Sequence, residues 1–119
     1  MVKDNIIKNK TFALAVRIVK MNRYLADKKR EFVLSKQLLR SGTAIGALVR
    51  EAEHAESTAD FIHKMAIAQK EANESDYWIE LLYQTGYLDE KAYSSIMADL
   101  SGIRKILASI ITTSKDKQR

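Results

Sequence analysis

The chain has no cysteine and no proline among its 119 residues, and only four glycines. Without cysteine there is no disulfide framework and no thiolate for nucleophilic or metal chemistry. Without proline, and with so little glycine, nothing forces a helix to stop. No apolar run approaches the ~20 residues that a membrane-spanning helix needs. Met1 to Lys10 carries lysines but no apolar stretch of the kind that marks a secretory signal. What is present is a hydrophobic fraction of 46%, enough for one sizeable core in a chain of this length. These features predict a soluble, cytoplasmic, all-α protein with a single domain over residues 1–119.

Four segments follow the helical period. Ile7, Thr11, Leu14, Ile18, Met21 and Leu25 recur at alternating steps of four and three. Leu38, Ile45, Val49 and Ala52 mark a second stripe. Phe61, Met65, Ala68, Ala72, Ser75, Ile79 and Leu82 mark a third, and Tyr93, Ile96, Leu100, Ile103, Leu107 and Ile110 a fourth. An average step of 3.5 residues favours near-parallel helix packing. The predicted helices run over about 4–27, 34–54, 58–84 and 89–113.

The links are short. Residues 27–33 read as a charged connector. Ser57-Thr-Ala-Asp60 resembles a capping box, with Asp60 in the place of the usual Glu or Gln. Thr85-Gly86-Tyr87-Leu88 reads as a Schellman stop, after which Asp89 caps the last helix. Short links force neighbouring helices to run antiparallel, so the prediction is an up-down-up-down four-helix bundle. Ser114 to Arg119 reads as a frayed tail.

Charge is unevenly distributed. Residues 1–40 hold 11 Lys/Arg against 3 Asp/Glu, residues 41–90 hold 3 against 10, and residues 91–119 hold 6 against 2. In a square bundle the first helix lies diagonal to the third, which makes one side basic and the opposite side acidic. Lys3, Lys10 and Arg17 are spaced by seven, Lys20 follows, and Lys28-Lys29-Arg30 forms a dense cluster. Such a stripe can meet phosphates, or it can serve solubility or an acidic partner. Stacking aromatics and a groove-reading motif are not evident beside it.

The other candidates have plainer readings. Gly42 and Gly46 form a Gly-x-x-x-Gly pair that lets helix backbones approach closely. No strand precedes it and no Gly-Lys-Ser/Thr follows, so it is not a phosphate loop. Glu51-x-x-His54 and Asp60-x-x-His63 invite a metal reading, but the first and last helices offer no carboxylate at a core position. No metal, cofactor or small-molecule substrate is expected. Glu51/Glu53 and Glu71/Glu74 read as solvated helix faces rather than as acid–base pairs. Tyr77 and Trp78 flank the core residue Ile79 and read as a partly buried subunit contact.

Gln37-Leu-Leu-Arg-Ser-Gly-Thr-Ala-Ile-Gly46, Asp60-Phe-Ile-His-Lys-Met65 and Glu71-Ala-x-Glu-x-x-Tyr-Trp78 resemble the four-helix bundle proteins encoded in intervening sequences of bacterial 23S rRNA genes. The resemblance covers Leu34 to Leu88 best. That family is similar in fold to the accessory variability proteins of diversity-generating retroelements. The resemblance implies a homopentameric ring, a nucleic-acid or ribonucleoprotein role and no established enzymatic activity. The chain departs from the family pattern at Leu48 and Arg50, where Asn and an acidic residue are usual, and at Asn73 and Asp76, where basic residues are usual. The expectation is a non-catalytic oligomeric scaffold that meets RNA or DNA through Lys10, Arg17, Lys20, Lys28, Lys29 and Arg30. The alternative is a purely structural or protein-binding oligomer.

Overall fold

The computed structural model describes the backbone of residues 2–118 and the side chains of residues 6–118. It consists of α1 (Val2–Lys29), α2 (Leu34–Ala52), α3 (Thr58–Gln84) and α4 (Glu90–Gln118), with no strand among the described residues. Cross-helix pairs fix the directions. Lys8 meets Glu53 while Asn22 reaches Ser35. Lys64 meets Glu51 while Ser75 reaches Ser41. Arg104 meets Asp76 while Tyr93 stacks on Tyr83. Every sequential pair is therefore antiparallel, and α1 closes the square against α4, leaving α1 diagonal to α3. This is the predicted up-down-up-down bundle, a rod of 49 × 21 × 20 Å. No described helix is long and apolar enough to cross a membrane.

The four apolar stripes turn inward and meet in one core. Ile7, Leu14, Ile18 and Leu25 of α1 are buried against Leu38 and Ile45 of α2, Met65 and Ile79 of α3, and Ile96 and Leu100 of α4. Each such side chain contributes about 1.5–3 kcal/mol by leaving water. Small residues of α2 sit where it packs on α1. A Cβ on Gly42 would lie 2.9–3.2 Å from the Ile18 side chain, and one on Gly46 would lie 3.4 Å from the Thr11 backbone. Both glycines face α1, which is the packing role their spacing implied. The polar groups in the core are satisfied. Thr11 donates to the Ile7 carbonyl at 2.8 Å, and Ser75 donates to Ser41 at 2.9 Å across α2 and α3.

Three of the four predicted boundary signals appear with small differences. Ser57 accepts from the Asp60 N–H at 3.0 Å, but the Asp60 carboxylate reaches back to the Glu56 N–H rather than to Ser57. Gly86 has φ 87°, and the Tyr87 N–H donates to the Leu82 carbonyl at 2.9 Å, which is a Schellman closure. Asp89 accepts from the Ala92 N–H at 2.7 Å. Two expectations need correction. The tail is not frayed up to Gln118: α4 continues because nothing after 113 breaks a helix, and Lys115 and Lys117 suit its negative C-terminal end. Arg119 lies outside the described residues. Likewise α1 runs through Lys28 and Lys29, so the charged connector begins only at Arg30.

Candidate nucleic-acid interface

The α1–α2 turn organises the cationic end of the rod. Arg30 ends α1 with φ 55°, the left-handed conformation that L side chains adopt only at a cost. Glu31 then turns inward and is 7% exposed. Its carboxylate accepts from the backbone N–H groups of Val33 at 2.8 Å, Leu34 at 3.0 Å and Ser35 at 2.6 Å. The Ser35 hydroxyl donates back to the Glu31 carbonyl at 2.9 Å. Glu31 thus caps α2 from upstream, where Val33 has no side-chain oxygen to offer. Burial works to raise the Glu31 pKa, but the hydrogen bonds from Ser35, Val33 and Leu34 outweigh it and hold the carboxyl below its ordinary value. A charged connector would have left this residue solvated. The available signal was its place four residues before Ser35, at a helix start with no cap of its own.

With Glu31 inside, its neighbours are turned out. Lys28, Lys29 and Arg30 are exposed, as is Lys36 in the first turn of α2. Phe32 is 55% exposed and Val33 71% exposed. The Arg30 guanidinium lies 5.6 Å from the centre of the Phe32 ring, within range of a cation–π contact. Tyr24, one turn before Lys28, is 47% exposed. The expectation of no stacking aromatic beside the basic cluster needs correction: Phe32 lies against Arg30, while Tyr24 lines the cleft toward α4.

The other members of the predicted stripe divide. Lys10 and Lys20 are exposed. Arg17 is engaged within the protomer: it donates to Asp99 at 2.6 Å and to the Ser95 hydroxyl at 3.0 Å. Arg17 and Lys20 both line an open cleft of about 430 Å³ with Tyr24 and Asp89. The Lys3 side chain lies outside the described residues. Among the described residues, Lys10, Lys20, Arg23, Lys28, Lys29, Arg30 and Lys36 form no ion pair with a carboxylate.

The acidic helix α3 behaves differently. Glu71 and Glu74 are half-buried and both pair with Arg40 of α2, and Asp76 pairs with Arg104 of α4. The expected solvated carboxylate face is therefore partly neutralised by neighbouring helices: Arg40 is shared by Glu71 and Glu74, while Asp60 and Glu80 form no ion pair among the described residues. Desolvation first, then Glu80 and Asp76, push the Tyr93 phenol above its ordinary pKa. Tyr77 is 59% exposed and stacks edge-on against Trp78. Trp78 is half-buried against the core and donates its indole N–H to Glu74 at 3.0 Å. His54 and His63 are exposed. No group of three or more His, Cys, Asp or Glu side chains that could hold a metal occurs among the described residues.

At the positions that depart from the expected pattern, the structure shows local compensation. Leu48 packs against the core. Arg50 lies 5.0 Å from the centre of the Phe12 ring. Asp76 has its Arg104 partner, and Asn73 is exposed.

Comparison with known proteins agrees with this architecture. The family model of the 23S rRNA-intervening sequence proteins matches residues 3–109. A crystal structure of a protein of unknown function from the S23 ribosomal protein family of Bacteroides thetaiotaomicron is 55% identical, with a TM-score of 0.91. The alignment covers 92% of this chain and 98% of that one. No curated protein matches the sequence. On the match over residues 3–109, the chain belongs to the 23S rRNA-intervening sequence protein family.

Proposed function

We propose that this protein is a non-catalytic scaffold of the cytoplasm that binds nucleic acid through the cationic end of its bundle. The observation that carries the reading is the contrast in charge pairing. Lys28, Lys29, Arg30 and Lys36 are exposed and unpaired among the described residues, whereas most acids of α3 are matched inside the protomer. Over residues 27–36 this end presents four exposed cations against one exposed carboxylate, Asp27. A polyanion neutralises such a surface and releases its counterions. Family membership supports a homo-oligomer, and a pentameric ring repeats the cluster around one rim. Repetition raises avidity without any single strong site.

Pairing within the protomer also limits the alternative reading. A basic α1 face meeting an acidic α3 face between subunits has few free carboxylates to use. The exposed Tyr77 ring against Trp78 offers a different surface for a subunit contact, one that would leave the cationic end open. The test is retention of RNA or DNA at about 50 and 200 mM salt. The wild type should bind with a steep salt dependence. The Lys28→Glu, Lys29→Glu, Arg30→Glu triple variant should lose binding while keeping its helical content and its mass by light scattering. No salt-dependent binding by the wild type to either polymer would favour the purely structural oligomer.

A further inference from the structure

Phe32 is the least expected residue of the cationic end. Its ring stands 55% exposed in a turn whose backbone is fixed by three hydrogen bonds to the buried Glu31. Nothing about closing the bundle requires an aromatic there. The turn needs only the Glu31 carboxylate and a chain able to reach α2.

We propose that the α1–α2 turn selects single-stranded over duplex nucleic acid, with Phe32 stacking on an unpaired base while Lys28, Lys29 and Arg30 hold the flanking phosphates. This deepens the function proposed above and rests on it. Bases in a duplex are stacked on each other and offer no free face, whereas every unpaired base does. The Arg30 guanidinium lies 5.6 Å from the ring centre, close enough for one nucleotide's base to meet the ring while an adjacent phosphate meets the cation. Tyr24, one turn before Lys28 on α1, is a further exposed ring, in the cleft toward the start of α4. The backbone of the turn is already ordered, so binding need not freeze it.

The electrostatics point the same way. Glu31 already occupies the N–H groups of Val33, Leu34 and Ser35. The start of α2 is thus closed to phosphate, and side chains must supply the contacts. A second copy docked symmetrically on this turn would set Lys28, Lys29, Arg30 and Lys36 against their own equivalents. A lipid surface would favour an apolar tip standing clear of its cations, but here Arg30 lies against the Phe32 ring.

Fluorescence anisotropy with a fluorescein-labelled, unstructured 20-nucleotide RNA, alone and annealed to its complement, tests the assignment. The wild type should bind the single strand at least about tenfold more tightly than the duplex. Phe32→Leu should weaken single-strand binding by roughly five- to a hundredfold, the range of one lost base stack. It should leave duplex binding and the salt slope unchanged, because the phosphate contacts remain. Phe32→Tyr should restore single-strand binding. Equal wild-type affinity for both forms, or a Phe32→Leu effect under twofold or equal on both, would overturn the stacking role and leave the proposed scaffold function standing. Absence of wild-type binding to either form would remove that function too. Capture by phosphatidylserine vesicles that Phe32→Leu abolishes, with RNA binding unaltered, would reassign the turn to a membrane.

Discussion

Two helices end at the same end of the rod, and they end differently. Both α1 and α3 close on a residue with positive φ: Arg30 at 55° and Gly86 at 87°. At α3 the residue is glycine, which takes this conformation without steric cost. The following chain folds back, with the Gly86 N–H donating to Tyr83 at 3.1 Å and the Tyr87 N–H to Leu82 at 2.9 Å, and Leu88 enters the core. At α1 the residue is arginine, where left-handed backbone costs about 1–2 kcal/mol. The chain that follows turns its apolar residues outward, leaving Phe32 and Val33 exposed. One turn is made as stability alone would make it. The other retains local strain and exposed apolar surface, and displays a cation and a ring together. Strain of this kind, once observed, is a reason to look for function.

The contrast can be broken or sharpened by substitution, beginning with the largest effect. A control in the core sets the scale. Gly46→Leu forces a side chain toward the Thr11 backbone, whose carbonyl a Cβ would already meet at 3.4 Å. It should cost about 3 kcal/mol by overpacking, measured by chemical denaturation. Glu31→Ala removes the acceptor of three backbone N–H groups and should cost about 2 kcal/mol at neutral pH. The sign of its pH dependence follows from the lowered carboxyl pKa. Glu31's contribution is complete above the ordinary value of 4.5 and is lost as pH falls through the lower folded value. Melting curves of wild type and Glu31→Ala should therefore converge in acid, and a gap that stays constant to pH 3 would argue against the charged cap. Gly86→Arg copies the α1 solution onto α3. It should cost about 1–2 kcal/mol, and since nothing lies within 4 Å of a Cβ there, backbone strain alone would be the cause.

Most of the fold was legible in the sequence because the bundle repeats one pattern. The 4-3 rhythm names core residues such as Ile18, Ile45, Ile79 and Leu100, and Gly86 and Asp89 announce a stop and a start through local chemistry. What was not legible depends on residues distant in sequence. Arg17 reads as a free cation until α4 brings Asp99 to 2.6 Å across 82 positions. Glu71 and Glu74 read as solvated until Arg40 reaches them from α2. The helix ends at Lys29 and Gln118 were misplaced because charged residues signal solvent, and a solvated segment can be helical or not. The turn itself was misread most. Composition placed Glu31 and Phe32 together in a polar connector, yet Glu31 is inside and Phe32 is outside. A lone Phe-Val pair among lysines, in register with no apolar stripe, was the cue to its exposed role.

Arg30→Gly is the smallest change and the most direct test, because it converts the α1 end into the α3 solution. Its melting temperature and its affinity for single-stranded RNA should be measured on one preparation. Relief of the left-handed strain should stabilise the protein by about 1 kcal/mol, a rise in melting temperature of ~3–6 °C. Loss of the guanidinium should weaken RNA binding and make the salt slope shallower by ~0.7 for each phosphate contact removed. A stability gain coupled to a binding loss is what the account predicts. A variant that melts lower than wild type, or that binds RNA with unchanged affinity and salt slope, would contradict it.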